Sequence, residues 1–286
     1  MTVTPAQITE FQETILGNYQ TNGRALPWRQ TSDPYEILVS EIMLQQTQTE
    51  RTIGKYAEWL AAFPDMQTLA AAPLSLVLAR WNGLGYNRRA RFLQETCKII
   101  VKERDGAFPQ SAEELDALPG IGPYTARAVM TFAFGKSEVF IETNIRSVFL
   151  FFFFRDRLEE AAESSSGQKP VHDAEILPLI AQTVHAANPR IWYYALMDYG
   201  AALKKAVVNP NRKSAHYARQ SRFDGSLRQA RGAIIRCLAK QSAPAASLYE
   251  IARQEDIDLG RLEKAAAALV AEGLIAKAGD LYAIGE

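Results

Sequence analysis

The chain has 286 residues, with 32 Lys and Arg against 32 Asp and Glu, so its overall charge carries no sign of a nucleic-acid partner. Its two cysteines, Cys97 and Cys237, lie far apart, which argues against a disulfide framework or a cysteine-built metal site and fits a reducing cytosol. The start, MTVTPAQITEF, has neither a basic nor an apolar leader region, and the most apolar run, Val148–Phe154, is far too short to span a bilayer; no signal peptide and no membrane contact are expected.

Helical periodicity dominates from the first residues. Gln7–Tyr19 follows a Thr-Pro start and reads as an amphipathic helix. LPWRQTSDPYE is a loop that enters a helix at Asp33–Pro34. Ile37–Leu60 keeps helical spacing with a break near Gln45–Thr47. Leu69–Ala72, Pro73–Trp81 and Arg88–Arg104 follow, then Ala112–Ala117, the turn LPGIG, Pro123–Phe134 and Asn144–Phe154. AAESSSGQKP (161–170) reads as a flexible loop, and Ala174–Ala187 and Trp192–Val207 as helices. The first ~220 residues are therefore expected to be all-α. FLFFFF (149–154) is assigned to the core or to an interface between lobes.

The tail is different. A helix from about Leu227, a Ser-capped helix SLYEIARQE and a third in DLGRLEKAAAALVAEGL precede a hairpin signal around Gly279–Asp280. Three helices and a hairpin make a winged-helix pattern, which serves either DNA binding or protein contact; both stand open. The boundary falls at 220–226, giving domains 1–222 and 223–286. Charge is uneven along the chain: Lys204–Arg231 holds eight Lys and Arg against one acid, and Arg80–Arg104 seven against two, a pattern of a solvated face or of a phosphate contact.

LPGIG (Leu118, Pro119, Gly120, Ile121, Gly122) sharpens that choice. Its glycines permit positive φ and close backbone approach, and Pro123 suits the first turn of the next helix. The free N–H groups of such a turn can hold a phosphate, or the motif can be a plain helical hairpin.

Four segments in order, LPWR (26–29), SEIMLQQTQ (40–48), WNGLGYNRRAR (81–91) and LPGIGPYTARAV (118–129), resemble the helix-hairpin-helix DNA glycosylases, most closely the MutY-type adenine glycosylases, over roughly residues 7–220. The resemblance implies a two-lobed α-helical enzyme that flips a base out of the duplex into the cleft between its lobes. Glu41 matches the family's general acid: adenine leaves once a ring nitrogen is protonated, and a carboxyl with a raised pKa among apolar neighbours can deliver that proton. Glu142 in IETNIRSV stands where the family has an Asp that stabilises the oxocarbenium-like sugar, and Asn144 matches the family Asn. The extra methylene moves the carboxylate by about one bond, and misplacement on the order of 1 Å can cost ~10²-fold in rate. Tyr124 stands where bifunctional relatives carry a nucleophilic Lys, which implies a monofunctional glycosylase without β-lyase activity.

The resemblance further assigns Trp28, Arg29, Leu44 and Asp198 to the base pocket, with Arg29 and Asp198 as a donor and an acceptor; ordinary core packing is the competing reading for Trp28 and Leu44. Gln46 corresponds to the wedge that enters the stack, with Thr47 and Gln48 beside it, and Tyr86 to a DNA-side aromatic or a packing residue. Leu118, Gly120, Ile121 and Gly122 form the hairpin grip, and Arg212 and Lys213 a basic DNA-facing loop.

Two departures qualify the match. Many relatives hold an iron–sulfur cluster on four cysteines after the helix containing ALMDYG; here Lys204, Asn211, Ser214 and Gln220 stand at those positions, so no cofactor is expected. The basic residues there (Lys204, Lys205, Arg212, Lys213, Arg219) could keep a phosphate-binding role through charge. The β-rich domain that reads 8-oxoguanine in the family is replaced by the winged-helix-like tail. The expected protein is a monomeric, cytosolic (bacterial-type, nucleoid-associated when bound) base-excision glycosylase acting on double-stranded DNA with a mismatched or damaged base. Adenine in a mismatch is the leading substrate. A mismatched, oxidised or hydroxymethylated pyrimidine is the alternative, and a non-catalytic DNA-binding scaffold the second.

Overall fold

The computed structural model describes residues 2–155, 170–217 and 222–285. They form two compact units, one built from residues 2–34, 111–113, 122–155 and 170–217, the other from 35–110, 114–121 and 222–285. Among the described residues no helix is long and apolar enough to cross a membrane. The loop expected at 161–170 lies outside the described residues except for its last position.

The first unit is helical. Helix α1 (Pro5–Asn22) starts on a capping box in which Thr4 and Gln7 satisfy each other's exposed N–H groups, with Pro5 at the position that needs no donor. Helices α8 (Pro123–Phe134), α9 (Thr143–Phe153), α10 (Asp173–Thr183) and α11 (Pro189–Ala206) complete it. Phe11 of α1 meets Phe149 edge-on at 5.4 Å and Trp192 at 5.5 Å, and Phe152 and Phe153 also pack on it. The FLFFFF run is thus core of this unit, where each buried aromatic ring contributes roughly 1.5–3 kcal/mol. Helices α9 and α11 lie so close that a Cβ on Gly200 would stand 2.2 Å from the carbonyl oxygen of Asn144.

In the second unit, α2 (Pro34–Leu44) and α3 (Thr49–Ala62) are separate helices, with the expected break realised at Gln45–Gln48 and Gln46 in left-handed backbone at φ 56°. Helices α4 (Met66–Ala71), α5 (Leu74–Trp81) and α6 (Arg88–Glu103) follow. Trp59 packs edge-on against Trp81 at 5.3 Å and Phe63 at 4.8 Å. Gln94 of α6 donates to Leu69 O at 3.1 Å and Ala72 O at 2.6 Å, satisfying carbonyls where α4 ends. Helix α7 (Ala112–Asp116) leads into LPGIG.

The C-terminal residues belong to this second unit. Helices α12 (Leu227–Leu238), α13 (Ser247–Glu255) and α14 (Leu259–Ala271) precede strands β2 (Ile275–Ala278) and β3 (Leu281–Ile284), which pair antiparallel with Ile275 opposite Ile284. A two-residue strand, β1 (Ala243–Pro244), pairs with β3 and gives the sheet order β1-β3-β2. This is the winged-helix-like extension. Two local details depart from the sequence reading. Strand β1 carries no period-two pattern because it is only two residues long. Ser247 is the first helical residue of α13, with Ala246 in the cap position and no side-chain cap bond, so this helix is not Ser-capped.

Candidate active site and nucleic-acid interface

In the first unit, Glu142 is the N-cap of α9. Its backbone is extended (φ −135°, ψ 179°), and its Oε1 accepts from the N–H groups of Asn144 at 2.7 Å and Ile145 at 2.9 Å. Asn144 Nδ2 donates to Oε2 at 3.2 Å. The carboxylate is therefore fixed by backbone donors at a helix N-terminus, where the macrodipole favours negative charge. A Glu at an N-cap reaches N–H groups that an Asp reaches more directly, so here the extra methylene is taken up by the side chain folding back onto its own helix. Lys204 of α11 donates to Asn144 Oδ1 at 2.9 Å. Burial pulls the Lys204 ammonium below its usual pKa, Glu142 nearby pulls it up, and Arg146 adds to the lowering. Tyr124, in the first turn of α8, meets Phe140 edge-on at 5.7 Å, and Phe140 stacks on Tyr193 at 3.9 Å.

The same unit brings Arg29 and Asp198 together. Trp28 and Arg29 sit on a single 3₁₀ turn, Pro27–Arg29, with Trp28 buried. Asp198 of α11 accepts from Arg29 Nη1 at 2.8 Å and Nη2 at 2.7 Å, and from Arg24 N at 2.8 Å and Nε at 2.7 Å. Both carboxylate oxygens are thus occupied by arginine, and the Arg29 guanidinium lies 4.5 Å over the Tyr194 ring. Burial alone would raise the Asp198 pKa; the hydrogen bonds and charge of Arg29 and Arg24 reverse this and hold it below the usual carboxylate range. Leu44, expected beside these residues, is the half-buried last residue of α2 and belongs to the second unit.

In the second unit Glu41 is buried in α2, between buried Ser40 and Ile42. Beyond it lies a residue that sequence reasoning missed. Arg89 donates to five backbone carbonyls, of Ile42 (2.6 Å), Met43 (3.2 Å), Gln45 (2.6 Å), Leu84 (3.1 Å) and Gly85 (3.1 Å), and to Thr47 Oγ1 at 3.3 Å. One guanidinium thereby closes the C-terminal end of the Glu41 helix and ties it to the GLGY turn. Burial lowers its pKa to about 10, which leaves it charged at neutral pH. The signal that could have found it is the Arg placed just after a glycine-rich turn and within reach of a helix end.

Gln46 (φ 56°) and Tyr86 (φ 48°) are two of the four non-glycine residues with positive φ among those described. Both line one cleft of about 550 Å³, with Gly120 of LPGIG on its wall. Gly120 has φ 72°, and a Cβ there would stand 2.5 Å from Phe92 Cβ. Thr96 holds the turn through Pro119 O at 3.0 Å, and Leu118 and Ile121 are buried. Gly122, the N-cap of α8, has φ −107°, and a Cβ there would meet nothing within 4 Å. Gln48 is the exposed cap residue of α3, and Arg212 is exposed on the 3₁₀ turn Pro210–Lys213 of the first unit.

Residues 39–187 match the model of the HhH-GPD superfamily base excision DNA repair proteins. The chain belongs to that superfamily. Within it, the chain is adenine-DNA-glycosylase-like. It is 30% identical to an adenine DNA glycosylase of Mycolicibacterium smegmatis over 93% of this chain and 92% of that protein. It is 41% identical to an adenine DNA glycosylase of Buchnera aphidicola over 50% of this chain, and spans only 41% of that protein's length. Among solved structures, a thermostable thymine-DNA glycosylase matches at a TM-score of 0.60 and 26% identity, covering 73% of this chain and 92% of that one.

The loop that carries a cluster in many HhH-GPD members has here a donor set that does not fit one. Asn211 Nδ2 donates to Thr143 O at 2.7 Å and to Ser147 Oγ, and Lys204 binds Asn144. Ala215 N donates to Val171 O at 3.0 Å, and Val171 bridges Ser214. Gln220 lies outside the described residues. An amine, an amide and a hydroxyl cannot replace thiolates on iron; instead the Lys204 amine and the Asn211 amide bond to residues of α9, the helix capped by Glu142.

Proposed function

We propose that this protein is a monofunctional DNA glycosylase of base excision repair that hydrolyses the N-glycosidic bond of a flipped-out adenine in a mismatched duplex. The observation that carries the reading is Glu142, a carboxylate held in one orientation by two backbone N–H groups and the Asn144 amide, at the position of the family's second acid. In this reading Glu142 faces the positive charge that develops on the sugar, and Glu41 protonates the departing base. Trp28, Leu44 and the Arg29–Asp198 pair serve the base pocket. Tyr124 has no amine to form a Schiff base with the sugar, so the strand stays intact after excision.

The LPGIG turn divides its labour. Gly120 is required by φ and by Phe92 and so serves the fold. Gly122 is required by neither, which leaves its open backbone for a phosphate at the start of α8. Double-stranded DNA is thus the partner, with Gln46, Thr47, Gln48, Tyr86, Arg212 and Lys213 as further contacts, in a monomer. The two free thiols suit a reducing cytosol, where the protein would associate with the nucleoid. We keep residues 1–222 as the catalytic domain and 223–286 as an accessory domain.

The test is a panel of duplexes bearing single mismatches and lesions, treated with alkali after incubation. Breakage at adenine, only after alkali, is expected. Glu41→Gln should abolish it while DNA affinity persists; activity surviving that change would sink the mechanism. Borohydride trapping of a covalent complex would overturn the monofunctional assignment. A second reading, excision of a mismatched pyrimidine, is favoured by the likeness to the thymine-DNA glycosylase, and the same panel separates the two.

A further inference from the structure

Helix α11 supplies Asp198 to Arg29 and Lys204 to Asn144, and one more of its side chains reaches the backbone that leads into Glu142. Tyr193 is fully buried. Its hydroxyl donates to Glu138 O at 2.7 Å and accepts from Phe140 N at 3.4 Å. Its ring stacks on Phe140 at a centroid distance of 3.9 Å and an interplanar angle of 17°. Phe140 also meets Phe132 of α8 edge-on at 6.0 Å, besides Tyr124. Burial pushes the Tyr193 hydroxyl well above its usual pKa; the Phe140 N–H opposes this, and the charge of Glu138 adds to it. The group therefore stays a neutral donor at any working pH.

The segment it holds joins α8 to α9. At its start, Gly135 in left-handed backbone (φ 68°) closes α8: Gly135 N donates to Thr131 O at 3.1 Å and Lys136 N to Met130 O at 3.2 Å. Thr131 Oγ1 donates to Lys136 O at 2.9 Å. At its end stands the Glu142 cap. Between these anchors Tyr193 ties positions 138 and 140, the second of them two residues before Glu142. A Glu at an N-cap has one rotatable bond more than an Asp, so holding it folded back on its own helix costs more side-chain entropy. The cap also needs the extended backbone that position 142 has here (φ −135°, ψ 179°). A tie two residues upstream fixes that entry.

We propose that Tyr193 is a positioning residue for Glu142: its hydroxyl braces the chain at Glu138–Phe140 and so holds the longer carboxylate toward the reacting sugar. This rests on the glycosylase reading and deepens it. The Glu of this chain, one methylene longer than an Asp, needs a brace that an Asp does not.

The test uses the full-length protein in four forms: wild type, Tyr193→Phe, Glu142→Asp and the double variant. Fluorescence anisotropy reads their Kd for a duplex in which a cationic pyrrolidine replaces the target sugar and base, and for the same duplex with a neutral tetrahydrofuran there. The cation mimics the charge of the transition state, so the ratio of the two Kd values reads the placement of the carboxylate. Tyr193→Phe keeps the ring stack and loses only the hydroxyl. It should weaken binding of the pyrrolidine duplex roughly tenfold, leave the tetrahydrofuran duplex within about twofold, and lower single-turnover excision roughly tenfold. In the Glu142→Asp background the same change should cost under about threefold, because the shorter side chain has no extra bond to hold. Equal weakening of both duplexes, an unchanged ratio, or the same loss in both backgrounds would mean that the hydroxyl serves the fold alone, and each overturns the proposal. A wild type that prefers the cation yet excises no base would sink the glycosylase reading alone, since the Kd comparison still stands. A wild type with no preference overturns both. Circular dichroism at the assay temperature checks that each form stays folded.

Discussion

Arg89 gives the sharpest prediction about how the candidate site is held. Replacing it by Met keeps most of the stem volume and removes the guanidinium. Ile42, Met43 and Leu84 are buried, so their carbonyls lose a donor with little access to water. Each such loss costs about 1 kcal/mol or more. The carbonyls of Gln45 and Gly85 belong to half-buried residues and rehydrate. Loss of a cation at the end of α2 adds about 0.5–1 kcal/mol. The sum is about 4 kcal/mol, an apparent Tm drop of about 10 °C for a chain of this size. Urea unfolding followed by circular dichroism reads the first number and a thermal scan the second. Arg89→Lys, with three donors on a point charge, should recover less than half. Single-turnover excision by Arg89→Met at a temperature where it stays folded should fall at least tenfold, because Glu41, Gln46 and Tyr86 all hang from the clamp. A loss under 1 kcal/mol with unchanged excision would refute the reasoning.

The two glycines of LPGIG should separate fold from binding. Gly120→Ala, with a Cβ driven against Phe92 at positive φ, should cost about 2–3 kcal/mol in urea unfolding. Gly122→Ala should leave stability within about 0.5 kcal/mol but weaken duplex binding roughly tenfold; equal effects at both positions would contradict the assignment. Asp198→Asn should destabilise by about 3 kcal/mol, because it leaves Arg29 buried against a neutral amide. The folded-state pKa of Asp198 is depressed, so its contribution is present above the unfolded carboxylate pKa and lost as pH falls through the folded value. The stability gap between wild type and Asp198→Asn should therefore be flat from about pH 5 to 8 and close in more acid solution. Lys204→Met should slow excision roughly tenfold with stability changed by less than about 1 kcal/mol, since the lost bond to Asn144 is offset by removal of a partly buried charge. A stability change without a rate change would assign Lys204 to the fold alone.

Much of this molecule was legible in its sequence. Helix spacing, the break near Gln45–Thr47, the Pro-started helix after LPGIG and the closing hairpin are local events, decided by propensity, capping and turn chemistry within a few residues. The positions of Glu41 and Glu142 also came from linear motifs. What the sequence could not state is which polar groups find one another across long separations. Arg29 and Asp198 read as two separate site residues; folded, they are partners of each other, 169 residues apart. Arg89 is marked in the sequence only by its place just after the GLGY turn, because its five acceptors are backbone carbonyls, which every residue carries and no motif marks. The polar ties of Lys204 and Asn211 to α9 needed the close crossing at Gly200. The sequence by itself determined the helices and the superfamily, and it marked Glu41 and Glu142 as candidate acids. Only the tertiary structure decided that the C-terminal extension shares a cleft with Gln46 and Tyr86, because that wall is made by side chains more than a hundred residues from the turn they face.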